Sequence, residues 1–509
     1  MASQNKDRTP VTSQTPPPAP SSKPISSSTS LRARQEAVAT GHPLAAQTAM
    51  DILARGGTAV DAAIAADAIL GVVEPMATGL GGDSLAMLLP PGEAPLTYNG
   101  TGKSPRALTP DHVADLPGRK IPERHPYSVT VPGLARGWAD LHARFGRLPF
   151  ADLLAPAAKL AREGFEVAPI CAREWQIFAK VIQNDPASNA IYQGGAIPQA
   201  GERFRNPALA DLLDAIAMEG PDAFYKGKAA EAIERAAKAR GALLTAEDLA
   251  AHEGFFDRPV RRMFKGIEIL ECPPNTHGIG VLKALERLDA MNLPMDDPTS
   301  MVEVVKATRE GMKYARETVA DPSGNTVCTA IVDREGFAVT LMSSIFKRFG
   351  SGIGVPELGI CLQNRGHGFS APGHINGVAG DKRPYHTVIP AAALKDGRFH
   401  AVFGVVGGLM QPQGHIQMMV RLAAWGQDVQ EAMNAPRWRL ESDTQIALET
   451  GSDPAFAEAL RAAGFEDATG AGELGGRSDF GGSQCVMRTD DGGLIAGSDP
   501  RKDGTKLGR

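Results

Sequence analysis

The chain has 509 residues, with 53 Lys or Arg against 58 Asp or Glu and a formal net charge of −5. So even a balance lacks the concentrated positive charge of a nucleic-acid footprint, and the length suffices for a large core in one layered domain or in several lobes. The five cysteines (Cys171, Cys272, Cys328, Cys361, Cys485) are scattered and form no CxxC pair, and the eleven histidines show no ligand spacing. The cysteines read as buried thiols in a reducing compartment, and neither a disulfide framework, a metal nor a cofactor is expected.

Residues 1–34 are rich in Pro, Ser, Thr and Gln and nearly free of large apolar side chains, which predicts a disordered tail. The tail lacks the apolar centre of a secretory signal. The longest apolar stretch, residues 62–73, is broken by Asp67 and is too short to span a bilayer. A cytoplasmic protein without a membrane partner is expected. Residues 43–73 have helical spacing interrupted at Gly56-Gly57, and their second half, 59–73, is apolar enough to be a buried helix. A glycine turn at 80–83 leads into strands at 84–89 and 96–99. From 146 to about 240 the pattern is helical, most clearly over 148–163, 208–218 and 226–240. A strand at 267–271 and helices at 277–291 and 300–318 follow.

After residue 325 the character changes. Strands at 327–333 and 337–343 are joined by Arg334-Glu335-Gly336, a hairpin signal. Strands at 388–395 and 399–406 flank Asp396-Gly397, a favoured hairpin turn. Helices are expected at 414–425, 429–435 and 454–463, and strands at 446–449, 484–488 and 494–497. With 56 glycines and 38 prolines the chain must turn often. Helices mixed with antiparallel hairpins predict a layered α/β sandwich.

The chemistry centres on Asn325-Thr326-Val327-Cys328-Thr329-Ala330-Ile331-Val332-Asp333. A threonine at a strand start is ordinary β-propensity. Cleavage between Asn325 and Thr326 would make it more, because the freed α-amine would lie next to its own hydroxyl and act as its base. Gly407-Gly408, after a strand, is either a turn needing positive φ or a pair of amides aimed at a developing oxyanion. Gly350-Ser351-Gly352-Ile353-Gly354 is likewise either a turn needing positive φ or another close backbone approach. In Asp381-Lys382-Arg383-Pro384-Tyr385-His386-Thr387-Val388-Ile389-Pro390 two prolines would hold His386 and Thr387 rigidly, unless the segment is a solvated turn. Asn364-Arg365-Gly366-His367-Gly368-Phe369-Ser370 offers a cation and an imidazole on a mobile loop, suited to an anionic substrate or simply solvated. Gly100-Thr101-Gly102-Lys103-Ser104 mimics the end of a phosphate-binding loop, but Thr97 stands where its first glycine belongs and Pro105 and Pro110 oppose the required helix.

Taken together these segments resemble the γ-glutamyltransferase (glutathione hydrolase) family over most of residues 35–509. The resemblance runs through Ala39-Thr40-Gly41-His42-Pro43-Leu44-Ala45, Gly56-Gly57-Thr58-Ala59-Val60-Asp61-Ala62-Ala63-Ile64-Ala65, Gly71-Val72-Val73-Glu74-Pro75 and Gly79-Leu80-Gly81-Gly82-Asp83. It continues in Ser128-Val129-Thr130-Val131-Pro132-Gly133, Asn434-Ala435-Pro436-Arg437 and Gly497-Ser498-Asp499-Pro500-Arg501.

The resemblance implies an αββα N-terminal nucleophile hydrolase sandwich, made as one proenzyme that cleaves itself before a threonine. Thr326 matches that threonine, so the pieces would be residues 1–325, including the tail, and residues 326–509, and they would stay associated. Ser344 falls where the family carries a second threonine that supports the nucleophile's amine, and Gly407 and Gly408 match the oxyanion glycines. The chain departs from the family's amino-acid clamp. The loop Asn99-Gly100-Thr101-Gly102-Lys103-Ser104-Pro105 has no arginine for a substrate carboxylate, and Lys103 is its nearest substitute. Gly368 replaces the acid that would hold an α-amine, and His386 and Thr387 replace paired serines. The stretch 313–325 is also short for the family.

The pattern is closer to members that resemble oxamate amidohydrolases and cephalosporin-type acylases. The expected function is an autoprocessing threonine amidase, γ-glutamyltransferase (glutathione hydrolase)-like, that works through an acyl-enzyme, with Lys103, Arg365, His367, His386 and Thr387 around a small-molecule amide and with water or an amine as acceptor. A homo-oligomer of the cleaved pair is left open. The alternatives are an oxamate amidohydrolase or cephalosporin-acylase-like hydrolase without γ-glutamyl preference and an uncleaved, inactive binding or scaffold protein.

Overall fold

The computed structural model describes residues 29–509 except 193–195, 296, 320–324 and 469–475. Two seven-stranded sheets lie face to face between layers of helices. One sheet runs Thr505–Gly508, Ala37–Thr40, Asn325–Val332, Ala338–Phe346, Asp83–Leu89, Leu96–Asn99, Phe255–Asp257. The other runs Leu31–Ala33, Leu494–Ser498, Gly482–Arg488, Arg398–Val406, Ala391–Lys395, Ile267–Glu271, Val260–Phe264. Within both, neighbouring strands are antiparallel.

Strand alternation builds the layers. In Asn325–Val332, Cys328, Ala330 and Val332 pack into the core between the sheets with Ala392, Val402 and Val486. Val327 and Ile331 point the other way, against the helix Ala59–Val73, which is buried along its whole length. The second sheet presents Ile269, Ala393, Phe403 and Val405 to the helices Gly278–Asp289, Pro298–Thr318 and Met410–Met419. This is the αββα arrangement expected.

The Gly56-Gly57 break separates helices Pro43–Ala54 and Ala59–Val73, the second closed by a Thr58–Asp61 capping box. Asp396 and Gly397 both have positive φ, 51° and 71°, between paired Lys395 and Arg398, as a two-residue hairpin turn requires. The five cysteines are buried and unbridged. Among the described residues no helix is long and apolar enough to cross a membrane.

Three expectations need correction. The tail does not extend to residue 34: Leu31–Ala33 pairs with Leu494–Ala496, and Leu31 and Ala33 pack on the inter-sheet core. A three-residue edge strand needs only a local apolar contact and a backbone partner, which overall composition does not register. The rest of that tail, residues 1–28, lies outside the described residues. The helix expected at 414–425 runs instead over Met410–Met419 and continues as a wider turn over Val420–Ala424. Pro412 is tolerated because it stands in the first turn, where no intrahelical N–H is required. The loop carrying Arg365 is not mobile or solvated: Arg365–Gly368 forms a tight 3₁₀ turn with Arg365 fully buried.

Candidate active site

Three neighbouring strands bring the candidate residues into one row. Asn325 pairs with Phe346 and Val327 with Ser343, so the register slips by one residue and Thr326 faces Ser344 and Ile345 across the resulting bulge. Ser344 in turn pairs with Asp83 on the next strand. Thr326 is buried, and its hydroxyl oxygen accepts a 2.7 Å hydrogen bond from Gln411 Nε2. The Ser344 hydroxyl oxygen accepts the Phe346 N–H at 2.8 Å. Phe346 itself has φ of 77°, a conformation that bulky side chains rarely adopt, and it sits at the bulge.

Gln411 lies in the first turn of the helix Met410–Met419, directly after Gly407 and Gly408. Both glycines have positive φ, 121° and 60°, and a side chain at Gly407 would come within 3.0 Å of Gly481 Cα. Their carbonyls turn into the helix, accepting Met410 N–H and Gln411 N–H at 3.0 Å each. The Thr326 hydroxyl is thus tied to a glycine turn that opens a helix, where backbone dipoles favour negative charge. Below it, Gly404 lets the sheets close: a side chain there would meet Cys328 Sγ at 2.7 Å and Met342 Sδ at 2.8 Å.

The residues expected to touch substrate divide into two groups. Arg365, His386 and Thr387 come together, all fully buried, around Asp83. His386 Nε2 donates to Asp83 Oδ1 at 2.9 Å, and Arg365 Nη2 lies 3.3 Å from the same oxygen. Gly102 N–H reaches Asp83 Oδ2 at 3.4 Å, and Arg365 Nη1 reaches Thr387 Oγ1 at 3.4 Å. The guanidinium also lies over the Phe346 ring, 4.4 Å from its centroid, which joins this cluster to the strand pair carrying Thr326.

Lys103 and His367 stand apart from the cluster. Lys103 Nζ pairs with Asp381 at 3.0 Å on the surface. His367 hydrogen-bonds through Nδ1 to the Ile121 carbonyl at 2.8 Å, with its ring 6.1 Å from that of Phe346. The solvated-turn reading of the 381–390 segment fails, because Tyr385, His386, Thr387, Val388 and Ile389 are buried. That segment and the 99–104 loop are braced by Ser104 N–H to Lys382 O at 2.9 Å, by Arg383 Nε to Thr101 O at 2.8 Å, and by Asn275.

The electrostatics of the cluster are closed. Burial drives the His386 pKa down to about 4, helped by the neighbouring Arg365 charge and against the pull of Asp83, so this ring is neutral at pH 7. Val388 N–H donates to His386 Nδ1 at 3.2 Å, which leaves the ring proton on Nε2, facing Asp83. Burial would raise the Asp83 pKa, but the facing His386 and Arg365 and the bonds it accepts hold it below the usual carboxylate value. Burial brings Arg365 down to about 10, still charged. One anion and one cation therefore compensate each other.

Asp83 and Gln411 are the residues that sequence reasoning missed. Asp83 stood in a quoted glycine motif without a role, although an acid at the head of a buried strand is itself a signal. Gln411 gave none, because its helix buries glutamines rather than an apolar stripe.

The sequence profile of the family described as gamma-glutamyltranspeptidase matches residues 45–323 and 305–508. The chain is 32% identical to the oxamate amidohydrolase proenzyme of Klebsiella pneumoniae, over 92% of this chain and 97% of that protein. It is 31% identical to the glutathione hydrolase-like YwrD proenzyme of Bacillus subtilis, over 93% and 98%. The crystal structure of cephalosporin acylase from Bacillus halodurans superposes with a TM-score of 0.89 at 33% identity, covering 96% of this chain and 99% of the other. Profile, relatives and fold agree along nearly the full length, and the chain belongs to the gamma-glutamyltranspeptidase family of hydrolases and acyltransferases.

Proposed function

We propose that the chain is an autoprocessing threonine amidase, of the oxamate amidohydrolase and acylase kind rather than a γ-glutamyl transferase proper. The observation that carries this reading is the buried Thr326 hydroxyl at the head of its strand, bonded to the helix that follows Gly407-Gly408. The relatives named above are proenzymes, which supports maturation by cleavage between Asn325 and Thr326.

In this reading the Thr326 Oγ attacks an amide carbonyl and its freed α-amine accepts the hydroxyl proton. The Gly407 and Gly408 amides stabilise the oxyanion, and the proton passes to the departing amine. Water, or an acceptor amine, then adds to the acyl carbonyl and releases Thr326. Ser344, opposite Thr326 across the bulge, hydrogen-bonds the new amine, while Arg365, His386 and Thr387 shape the acyl pocket, with Lys103 and His367 at its rim.

The test is Thr326→Ala. On a denaturing gel the parent is expected to give two fragments, of 325 residues and of the remaining 184 of 509, and the variant one uncleaved chain without amidase activity. Normal fragments and turnover in that variant would overturn the assignment.

A further inference from the structure

We infer that Gln411 is a catalytic residue, donating a hydrogen bond to the nucleophilic oxygen throughout the reaction; this rests on Thr326 being the nucleophile. Its amide has only one workable orientation. Gln411 Oε1 accepts the Ile389 N–H at 3.1 Å, and that group can only donate. The NH₂ end must then face Thr326 Oγ1, which it reaches at 2.7 Å. Both side chains are buried, Gln411 completely, so water does not compete for the bond.

The helix beneath Gln411 is clamped. Gln413 accepts Leu440 N–H at 2.7 Å and Gln417 accepts Trp438 N–H at 3.3 Å. One turn on from Gln411, His415 Nε2 accepts Val405 N–H at 3.2 Å while Nδ1 bonds Glu271 at 2.7 Å. A side chain so supported holds its donor fixed, as preorganised catalysis requires.

A fixed donor on Oγ acts at two points. As Oγ attacks, its proton goes to the α-amine and its electron pair forms the bond to the acyl carbon. The Gln411 N–H takes up one lone pair and directs the other at the carbonyl. In deacylation, water adds to the acyl carbon and gives its proton to the amine. The C–Oγ bond breaks, its electron pair returns to Oγ, and the amine hands the proton back. Negative charge builds on Oγ at that moment, where a charge-assisted bond is stronger than a neutral one. The same donor serves the self-cleavage. There Oγ adds to the Asn325 carbonyl carbon, and the peptide C–N bond breaks as the hydroxyl proton passes to the departing Thr326 nitrogen. Water then hydrolyses the ester, leaving Asn325 as a carboxylic acid and returning a proton to Oγ.

The experiment uses the full chain with Gln411→Met, which keeps length and loses the donor, and Gln411→Glu, which donates only when protonated. For Gln411→Met, self-cleavage and kcat are expected to fall at least tenfold with KM within about twofold. For Gln411→Glu, the ratio of variant to parent rate, in self-cleavage and in turnover, is expected to rise as pH falls from 8 to 5.5. A merely structural role predicts a ratio independent of pH. Parent-like cleavage and kcat, a change in KM alone, or a flat ratio would each overturn the inference. Should Gln411→Met fail to fold, the pH ratio of Gln411→Glu decides the matter. Loss of function in Thr326→Ala beside parent-like Gln411 variants would reject this inference alone, whereas full activity in Thr326→Ala would reject the reading beneath it.

Discussion

At the scale of single residues, charge accounting decides more than residue counting. Lys103, Arg365, His367 and His386 look from sequence like a basic pocket. In the fold Lys103 pairs with Asp381, His386 is neutral, and the Arg365 charge is met by Asp83. The Asp83 oxygens are themselves taken by Arg365, His386 and Gly102 N–H, so this acid is not open to a substrate ammonium. Burying an unpaired ammonium against such a site costs more than its contacts return. We therefore expect kcat/KM for glutaryl-anilide to exceed that for γ-glutamyl-anilide, which differs only by the α-amine; the reverse preference would mean that another residue supplies the missing clamp. Ser344 gives a second test. Loss of a hydrogen bond to a charged amine is worth roughly 1.5–3 kcal/mol, so Ser344→Ala should lower kcat by one to two decades with little change in KM. An unchanged kcat would remove Ser344 from the site. Thr326 and the Gly407-Gly408 pair were legible as candidates because each sits in a segment with a pattern of its own, whereas Ser344 came only from the family resemblance. Asp83 was not legible, because its partners Arg365 and His386 lie 282 and 303 residues away and only the fold brings them together.

At the scale of elements, the readable ones had a strong local cause. The hairpin at Asp396-Gly397, the capped helix Ala59–Val73 and the strands Leu96–Asn99 and Ile267–Glu271 follow from turn chemistry, caps and apolar runs. The strand expected from 388 starts at Ala391, because Pro390 has no N–H for a ladder. The helix expected from 414 starts four residues earlier, at Met410, because its buried residues include Gln411, Gln413, His415 and Gln417, whose burial depends on partners far along the chain. The helix Ala59–Val73 carries a testable oddity of the same kind. Asp67 is fully buried in it, accepting Ser343 Oγ–H at 2.6 Å and Trp138 Nε1–H at 2.8 Å. Burial raises its pKa to about 6 despite those bonds. Between about pH 4 and pH 6 the folded chain keeps a proton that the unfolded chain has released, so through this window Asp67 makes the fold less stable as pH rises. Two pKa units correspond to about 3 kcal/mol. Asp67→Asn should flatten the fall in denaturation midpoint between pH 4.5 and 7; curves that stay parallel to the parent would show that Asp67 is not its source.

At the scale of the whole molecule, cleavage before Thr326 would divide the sequence without dividing the fold. In one sheet, Ala37–Thr40 and Asp83–Leu89 come from before that point and flank strands from after it. In the other, Leu31–Ala33 pairs with Leu494–Ser498, and Ile267–Glu271 pairs with Ala391–Lys395. The inter-sheet core draws Leu85, Met87 and Leu270 from the first part and Cys328, Val402 and Val486 from the second. Ion pairs cross as well, with Lys502 reaching Glu174 at 2.8 Å and Arg365 reaching Asp83. The layered class was readable in the sequence from hairpins mixed with helices. The interleaving was not, because strand order in a sheet is a long-range choice that local patterns do not encode. It has a direct consequence for the cleaved protein. Separating the fragments would open five strand ladders and expose apolar surface on both sheets, at a cost comparable with unfolding the chain. The two fragments should therefore co-elute as one species on size exclusion in native buffer. In denaturant they should lose secondary structure and association in a single coincident transition. Dissociation into two folded fragments before that transition would show that the sheets are held by something other than these shared ladders.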